Sequence, residues 1–394
     1  MTVGTPAKRV MTPAVRRKRD ARRVLAVVAY ALFMDYFIYG LIVPLAPAKV
    51  HFEAQMGMLY GAYAMGVLVA TPLFAYLAMR VGYRLTMIIG VLLSASSVLL
   101  FCSASQFSLV VIARCAEGAS TAASWTAGLA LIAEYFVGRR LKMMGLAMMG
   151  STTGAALGPA AGSWLFSFGG LNLVMVVTIS MVALDALLRI FILPPGKDVP
   201  AKEGELKALF LDKSVLVASL AVAAAAAGWG VIEPLWPNHL SLHGVSLGEV
   251  GILFTLATLS YGLAAPLVSW VSERTSIKTA ICIGLAGMAA SLPLLAFTNH
   301  LVFDGLFLCL IAIFFAFAIN PPSAELADAV DRRGLHCYAA IYAVYNITYS
   351  LGMIGVDIFA ASLANSLSLW QILVCLSGLL FLCVPLVARL LRRS

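Results

Sequence analysis

The chain has 394 residues, 62% of them hydrophobic and 11% charged, with a formal net charge of +9. A soluble domain carries about 25% charged residues, so this sequence cannot cover a water-facing surface and its solvent is lipid over most of its length. It holds no Walker loop, no HExxH and no CxxC pair, which leaves no motif for ATP hydrolysis, a zinc hydrolase or a cysteine redox centre.

Residues 1–23 form a polar, basic tail. A signal peptide would have a short apolar core and a small-residue cleavage site, whereas the apolar run from Val24 reaches about Val43. It reads as a retained first helix, with the tail disordered in water and held near anionic headgroups. Runs of similar length follow at about 57–79, 85–103, 107–137, 141–167, 172–193, 214–240, 247–272, 277–297, 301–327, 335–363 and 368–390, the first being about 24–48. Backbone in lipid must pair internally, and these runs are too long for barrel strands. The expected fold is an all-α membrane protein of twelve transmembrane helices.

All but two of the 27 Lys and Arg residues, Lys49 and Arg114, fall on one side of this twelve-span pattern. That asymmetry places both termini in the cytoplasm and explains the positive charge without nucleic acid. A polar stretch at 194–213 divides the spans six and six. The halves repeat: Pro72, Arg80 and Arg84 correspond to Pro266, Arg274 and Lys278, and PLAP at 44–47 mirrors PLWP at 234–237. The expected organisation is a tail (1–23), an N-terminal six-helix bundle (24–193), a cytoplasmic linker (194–213) and a C-terminal six-helix bundle (214–394), pseudo-symmetric about a central cavity.

Asp35 lies about 17 Å into the first span, near the bilayer midplane. A carboxylate there costs roughly 2.5–3.5 kcal/mol on insertion scales, so it reads as a cavity-facing group that serves transport, with a structural ion pair or helix-packing acid as the alternative. Arg114 and Glu117 lie one turn apart on span 4. They read either as an internal ion pair or as a pair answering to Asp35, with Arg114 its nearest plausible partner. In span 7, Trp229, Glu233 and Trp236 share a face and read either as a site for an amphipathic or cationic ligand or as an interfacial aromatic belt with an exposed acid, and Tyr39, one turn beyond Asp35, reads as lining the substrate path. Tyr338, Tyr342, Tyr345 and Tyr349 form a stripe on span 11 beside Asn346, read as cavity lining, with interhelical packing as the alternative. Asp185 and Arg189 read as a local salt bridge with a snorkelling Arg. Glu325, Asp328 and Asp331 read as a cytoplasmic gate or loop network. The cysteines read as small buried hydrophobes, and His239 and His243 as outer-loop residues rather than metal ligands.

Three segments resemble the major facilitator superfamily, in its drug:proton antiporter branch and especially its vesicular amine transporters. They are ALFMDYFIYGLIVPLAP, ARCAEGASTAASWTAGLALIAEYF and GSTTGAALGPAAGSWLF. The last is similar to the antiporter signature at Gly154, Gly158, Pro159 and Gly162. The family's cytoplasmic loop motif resembles AYLAMRVGYR, with Met79 in place of its acid and Arg80, Gly82 and Arg84 retained. Together with Arg274 and Lys278 these imply a cytoplasmic gate. Asn346 stands where the amine transporters carry an acid, Tyr63 near their span-2 Lys, and Ser163 at the signature's last Gly.

The resemblance implies a secondary active transporter that exports a small drug-like or amphipathic molecule, multidrug efflux included, by proton antiport. Asp35, Arg114 and Glu117 would couple the proton. Export of an endogenous metabolite such as a siderophore, proton-coupled import and a non-transporting sensor are the alternatives. The expected chain is not an enzyme, uses no cofactor beyond the proton gradient, binds no metal, and is a monomer of a bacterial inner membrane.

Overall fold

A computed structural model describes residues 13–45, 53–194, 196, 203–232, 235–236, 239–240, 244–245, 247–296, 300–363 and 367–390. Helix α1 (Pro13–Leu45) begins well inside the tail that the sequence leaves disordered. Pro13 sits at the first helical position, where its missing N–H costs nothing. The Arg, Lys and Ala that follow are strong helix formers.

Helices α2 (Glu53–Val81) and α3 (Tyr83–Ser103) are separated by one residue, Gly82. Its φ of 91° is a conformation that favours glycine, and it allows this reversal. Helix α4 runs Phe107–Tyr135. Helix α5 (Arg140–Ile192) contains both the fifth and sixth spans, broken at Gly169 and Gly170, which leave helical geometry. A short helix α6 (Glu203–Phe210) occupies the linker. Helix α7 (Lys213–Gly230) is capped by the Asp212 side chain, which accepts from the Ser214 N–H. Burial opposes ionisation of Asp212, but its hydrogen bonds to Arg333 and Ser214 outweigh this and hold the carboxyl below its usual range. Then come α8 (Leu247–Arg274), α9 (Ile277–Ser291) with a 3₁₀ continuation at Leu292–Ala296, α10 (Leu301–Arg332), α11 (Tyr338–Leu363) and α12 (Leu369–Leu390).

Among the described residues, ten helices are long and apolar enough to cross a membrane. The two counts agree. Helix α5 crosses twice, and α4 falls short only in apolarity because it carries Arg114, Glu117 and a run of Ser, Thr and Gly. Helix α1 packs on α5, and α2 and α3 pack on α4. The same pairing recurs six spans later, α7 on α11 and α8 and α9 on α10. The two sets meet through α2 and α4 against α11, and α5 against α8 and α10.

Glycine makes the closest of these approaches possible. Gly150, Gly154 and Gly158 lie against the α1 backbone at Ala29, Phe33 and Phe37, and a Cβ on Gly158 would stand 2.6 Å from the Phe37 carbonyl oxygen. Gly162 is buried on the same helix, and Pro159 meets Gly40. The signature glycines therefore clamp α5 onto α1 on either side of Asp35, as small residues do at helix interfaces in membranes. Gly154→Val would drive a side chain into the Phe33 carbonyl. Overpacking of this kind costs about 1–3 kcal/mol. The expected result is a severalfold lower yield of monodisperse protein and a lower melting temperature, read by fluorescence-detected size exclusion.

Candidate functional site

Among the described residues, five charged side chains are buried within the membrane-spanning part of the first six spans: Asp35, Arg114, Glu117, Asp185 and Arg189, none more than 4% exposed. They are held as two ion pairs and one remaining carboxyl. Arg114 Nη1 donates to Glu117 Oε2 at 2.5 Å, and its guanidinium lies 5.1 Å from the Tyr39 ring centroid and 5.0 Å from that of Tyr63. Arg189 Nη2 donates to Asp185 Oδ2 at 2.6 Å. Arg189 Nη1 donates to the Met87 carbonyl at 2.8 Å and to Ser124 Oγ at 3.2 Å. Ser124 Oγ in turn donates to Asp35 Oδ1 at 3.5 Å. Among the described residues Asp35 makes no salt bridge, and its Oδ2 has no hydrogen-bond partner.

Two expectations are corrected here. Arg114 is engaged by Glu117, so the basic group that Ser124 links to Asp35 is Arg189. Nor does Arg189 snorkel: it is 1% exposed and points inward. An α-helix places Asp185 and Arg189 on one face, and that face turns to α3 and α4 rather than to the headgroups. Ser124 carried no signal in the sequence, because a lone Ser among Ala and Trp reads as helix filler.

An aromatic surface flanks this cluster. Tyr36 lies 6.0 Å from Trp125 and 6.2 Å from Tyr39, and Tyr39 lies 4.8 Å from Tyr63, measured between ring centroids. In the other set of helices Phe315 contacts Trp229 at 5.3 Å and Tyr261 at 5.5 Å, and Tyr261 donates to Asn320 Oδ1 at 2.9 Å. Tyr36, Tyr39, Trp125, Trp229, Tyr261 and Tyr349 are half-buried. Rings of this kind offer wide contact area with polar edges. Trp125, Tyr36, Tyr261 and Asn320 were not singled out from the sequence.

Trp236 departs from its predicted role. It is 1% exposed, donates to the Leu295 carbonyl at 3.3 Å and packs edge-on against Phe254. It is a core residue here. Glu233 lies outside the described residues.

The tyrosine stripe divides. Tyr342 is fully buried and donates to the Ser323 carbonyl at 3.0 Å, and Tyr345 is 3% exposed and faces the Ile319 carbonyl at 3.4 Å. Asn346 Nδ2 donates across the two sets of helices to Thr126 Oγ1 at 3.1 Å. The packing alternative therefore holds for Tyr342 and Tyr345, and Asn346 is a tie between α11 and α4.

Tyr338 belongs to a junction at the end of the bundle that carries the basic loops. Arg140, at the start of α5, is 3% exposed overall. It pairs with Asp328 at 2.7 Å and Asp331 at 2.6 Å on α10, and donates to Tyr338 Oη at 3.0 Å on α11. Tyr338 donates to Asp331 Oδ1 at 2.5 Å. Glu325 is held by Arg332 at 2.7 Å. The expected gate residues do other things. Arg80 lies over Tyr76 and Arg274 over Trp270, each on its own helix. Arg84 donates to the Ile190 carbonyl, Gly82 makes the α2–α3 turn, Lys278 is half-buried on α9, and Met79 packs against the core. In this conformation the tie across the basic end is Arg140.

The family model described as Major Facilitator Superfamily matches residues 25–354 and 218–394. The synaptic vesicular amine transporter of Rattus norvegicus is 25% identical over 307 residues, 76% of this chain. The match spans only 59% of that relative's length. A probable vesicular acetylcholine transporter of Danio rerio is 25% identical over 379 residues, 90% of this chain and 76% of its own. Among solved structures, the Escherichia coli fucose:proton symporter aligns with a TM-score of 0.75 at 16% identity, over 94% of this chain and 98% of that one. A human organic anion transporter aligns with a TM-score of 0.73 at 17% identity, over 93% and 99%. At these identities the solved structures show the fold alone.

Proposed function

Because the chain belongs to the Major Facilitator Superfamily, and so is an integral membrane transporter rather than an enzyme, we propose that it exports a small organic molecule in exchange for protons, with Asp35 as the coupling acid. One observation carries this: three buried carboxyls share a site with two guanidiniums. Ionised throughout, the cluster holds one uncompensated negative charge, which is expensive in a low-dielectric interior. A proton or a cationic substrate neutralises it equally well, so the two exclude one another at Asp35. The half-buried rings of Tyr36, Tyr39 and Trp125 supply the aromatic wall such a cation prefers.

Alternating access then moves the site between the two sides. By the positive-inside rule the basic end is cytoplasmic, so closure at Arg140 describes a state shut to the cytoplasm. A bacterial inner membrane suits this reading. The relatives named for vesicular amines and acetylcholine support a cationic cargo. The half-buried Tyr261, its hydroxyl held by Asn320, favours a second reading, an endogenous polar metabolite, because it gives the other set of helices a neutral polar ring. Transport by purified protein in liposomes, screened over amines, antibiotics and siderophores, tests the proposal. A pH gradient of either sign should drive one of these against its own gradient, in the direction opposite to the protons. Movement with the protons would establish symport instead.

A further inference from the structure

The sequence repeat reappears as a pair of exposed stripes on α2 and α8. Val69, Leu73, Tyr76 and Arg80 share one face of α2 and are all exposed, and at equal offset so are Leu263, Leu267, Trp270 and Arg274 on α8. The apolar and aromatic members are between 47% and 73% exposed. In this conformation Arg140 closes the basic end, so an exposed face there looks out of the bundle, to lipid rather than to the cavity. Each stripe is about 16 Å long, half of the roughly 30 Å hydrocarbon core and so the depth of one leaflet.

Each stripe ends in a cation that no acid balances. Arg80 and Arg274 lie in the last turns of their helices. The Arg80 guanidinium stands 5.3 Å from the Tyr76 ring centroid, and that of Arg274 stands 4.3 Å from the Trp270 ring centroid. Among the described residues neither arginine makes a salt bridge. Both helices run toward the basic end, so each ring lies one turn deeper in the membrane than its arginine. The side chain is folded back toward the bilayer, whereas an arginine at this boundary ordinarily reaches out into water. The ring covers one face of the guanidinium and leaves the N–H donors in its plane. That planar fork of donors matches the oxygens of a phosphate.

We propose that the two stripes are binding sites for anionic phospholipids of the cytoplasmic leaflet, one on each half of the repeat. The phosphate sits in the guanidinium fork, the glycerol against the Tyr or Trp ring, and an acyl chain along the apolar residues. An aromatic ring with a polar edge belongs at headgroup depth, and basic groups at that depth attract the negative leaflet. A zwitterionic headgroup brings its own cation to the phosphate and an anionic one does not, so the uncompensated arginines select the anionic lipid. Helices α2 and α8 are also the ones that pack across to the other set, α2 on α11 and α8 on α5. A lipid held on them is therefore attached to the helices of the seam along which the two sets must part. The proton-coupling reading is not needed for this.

The test titrates the purified full chain in detergent with phosphatidylglycerol and counts bound lipids by native mass spectrometry. The wild type is expected to retain a lipid at each site, Arg80→Gln and Arg274→Gln to lose one each, and the double variant to lose both. Phosphatidylcholine with the same acyl chains should bind about tenfold more weakly. Tyr76→Leu and Trp270→Leu keep the apolar bulk and lose the ring, and each should weaken its own site severalfold. Arg139→Gln removes an exposed cation from a neighbouring loop and should leave the count unchanged. All these side chains are exposed, and a monodisperse elution profile verifies that each variant is folded. Wild-type retention by the double variant overturns the proposal. So does an equal loss in Arg139→Gln, which would assign the lipids to general surface charge. Thermal stabilisation by glycerol phosphate alone, lost in the double variant, would assign the arginines to a soluble phosphate and overturn the lipid sites as well.

Discussion

Asp35→Asn is expected to abolish proton-driven accumulation of substrate, at least a hundredfold, while leaving the folded protein and downhill exchange intact. Asn keeps the size and the hydrogen bond from Ser124 Oγ but removes the charge. The four remaining ionisable groups then form two matched pairs, Arg114 with Glu117 and Arg189 with Asp185. The cluster is permanently in the state that protonation would give, so it can change conformation but cannot carry a proton. Asp185→Asn should behave differently. It breaks a buried pair and strands Arg189, and removing one member of such a pair costs about 3–5 kcal/mol, so the expected defect is in folding. Proteoliposomes give the first readout and thermal unfolding the second. Uphill transport by Asp35→Asn at the wild-type level would remove Asp35 from the coupling role.

Arg140→Ala is expected to open the basic end and shift the protein toward the state accessible from that side. Arg140 joins α5 to α10 and α11 through two carboxylates and a phenol. Without it α5 loses its hold on α10, and Asp328 and Asp331, one turn apart on that helix, are left as two uncompensated carboxylates. The aspartates are 40% and 35% exposed in their side chains, so solvent screening reduces the effect below that of a fully buried pair. A tenfold to hundredfold change in the ratio of the two states corresponds to about 1.4–2.8 kcal/mol, and transport should fall by a comparable factor. Spin labels at the exposed positions 142 and 336, in a background without the native cysteines, would report the opening as a longer distance. Arg140→Asp combined with Asp331→Arg should restore closure in part. An unchanged distance distribution in Arg140→Ala would show that the tie does not control the state.

The fold was legible because each part of it obeys a local rule. Apolar runs of bilayer length mark the spans, the basic loops mark one face, and Pro72 and Pro266 mark the repeat. Helix α1 began earlier than expected because hydropathy registers where lipid begins, while the helix continues through Arg and Lys until Pro13. Arg114 and Glu117 were readable as a pair since one turn of helix joins them. The link from Asp35 through Ser124 to Arg189 was not, because its members lie on three helices and Ser124, which joins them, does not differ in sequence context from an ordinary packing residue. The gate was half legible. Asp328 and Asp331 stood out, but Arg139, Arg140 and Lys142 look alike in sequence, and only the packing shows that Arg140 turns inward while Arg139 stays exposed. Trp236 misled because a shared helical face with Glu233 says nothing about whether that face meets a cavity or the core.

The central claim is that a proton and a cationic substrate exclude one another at Asp35. Proton release on addition of a transported amine to the purified protein, in weakly buffered solution, measures this directly. The account predicts release of about one proton per bound substrate from the wild type and none from Asp35→Asn, by the charge balance of the cluster. Binding without proton release by the wild type, or equal release by Asp35→Asn, would contradict it.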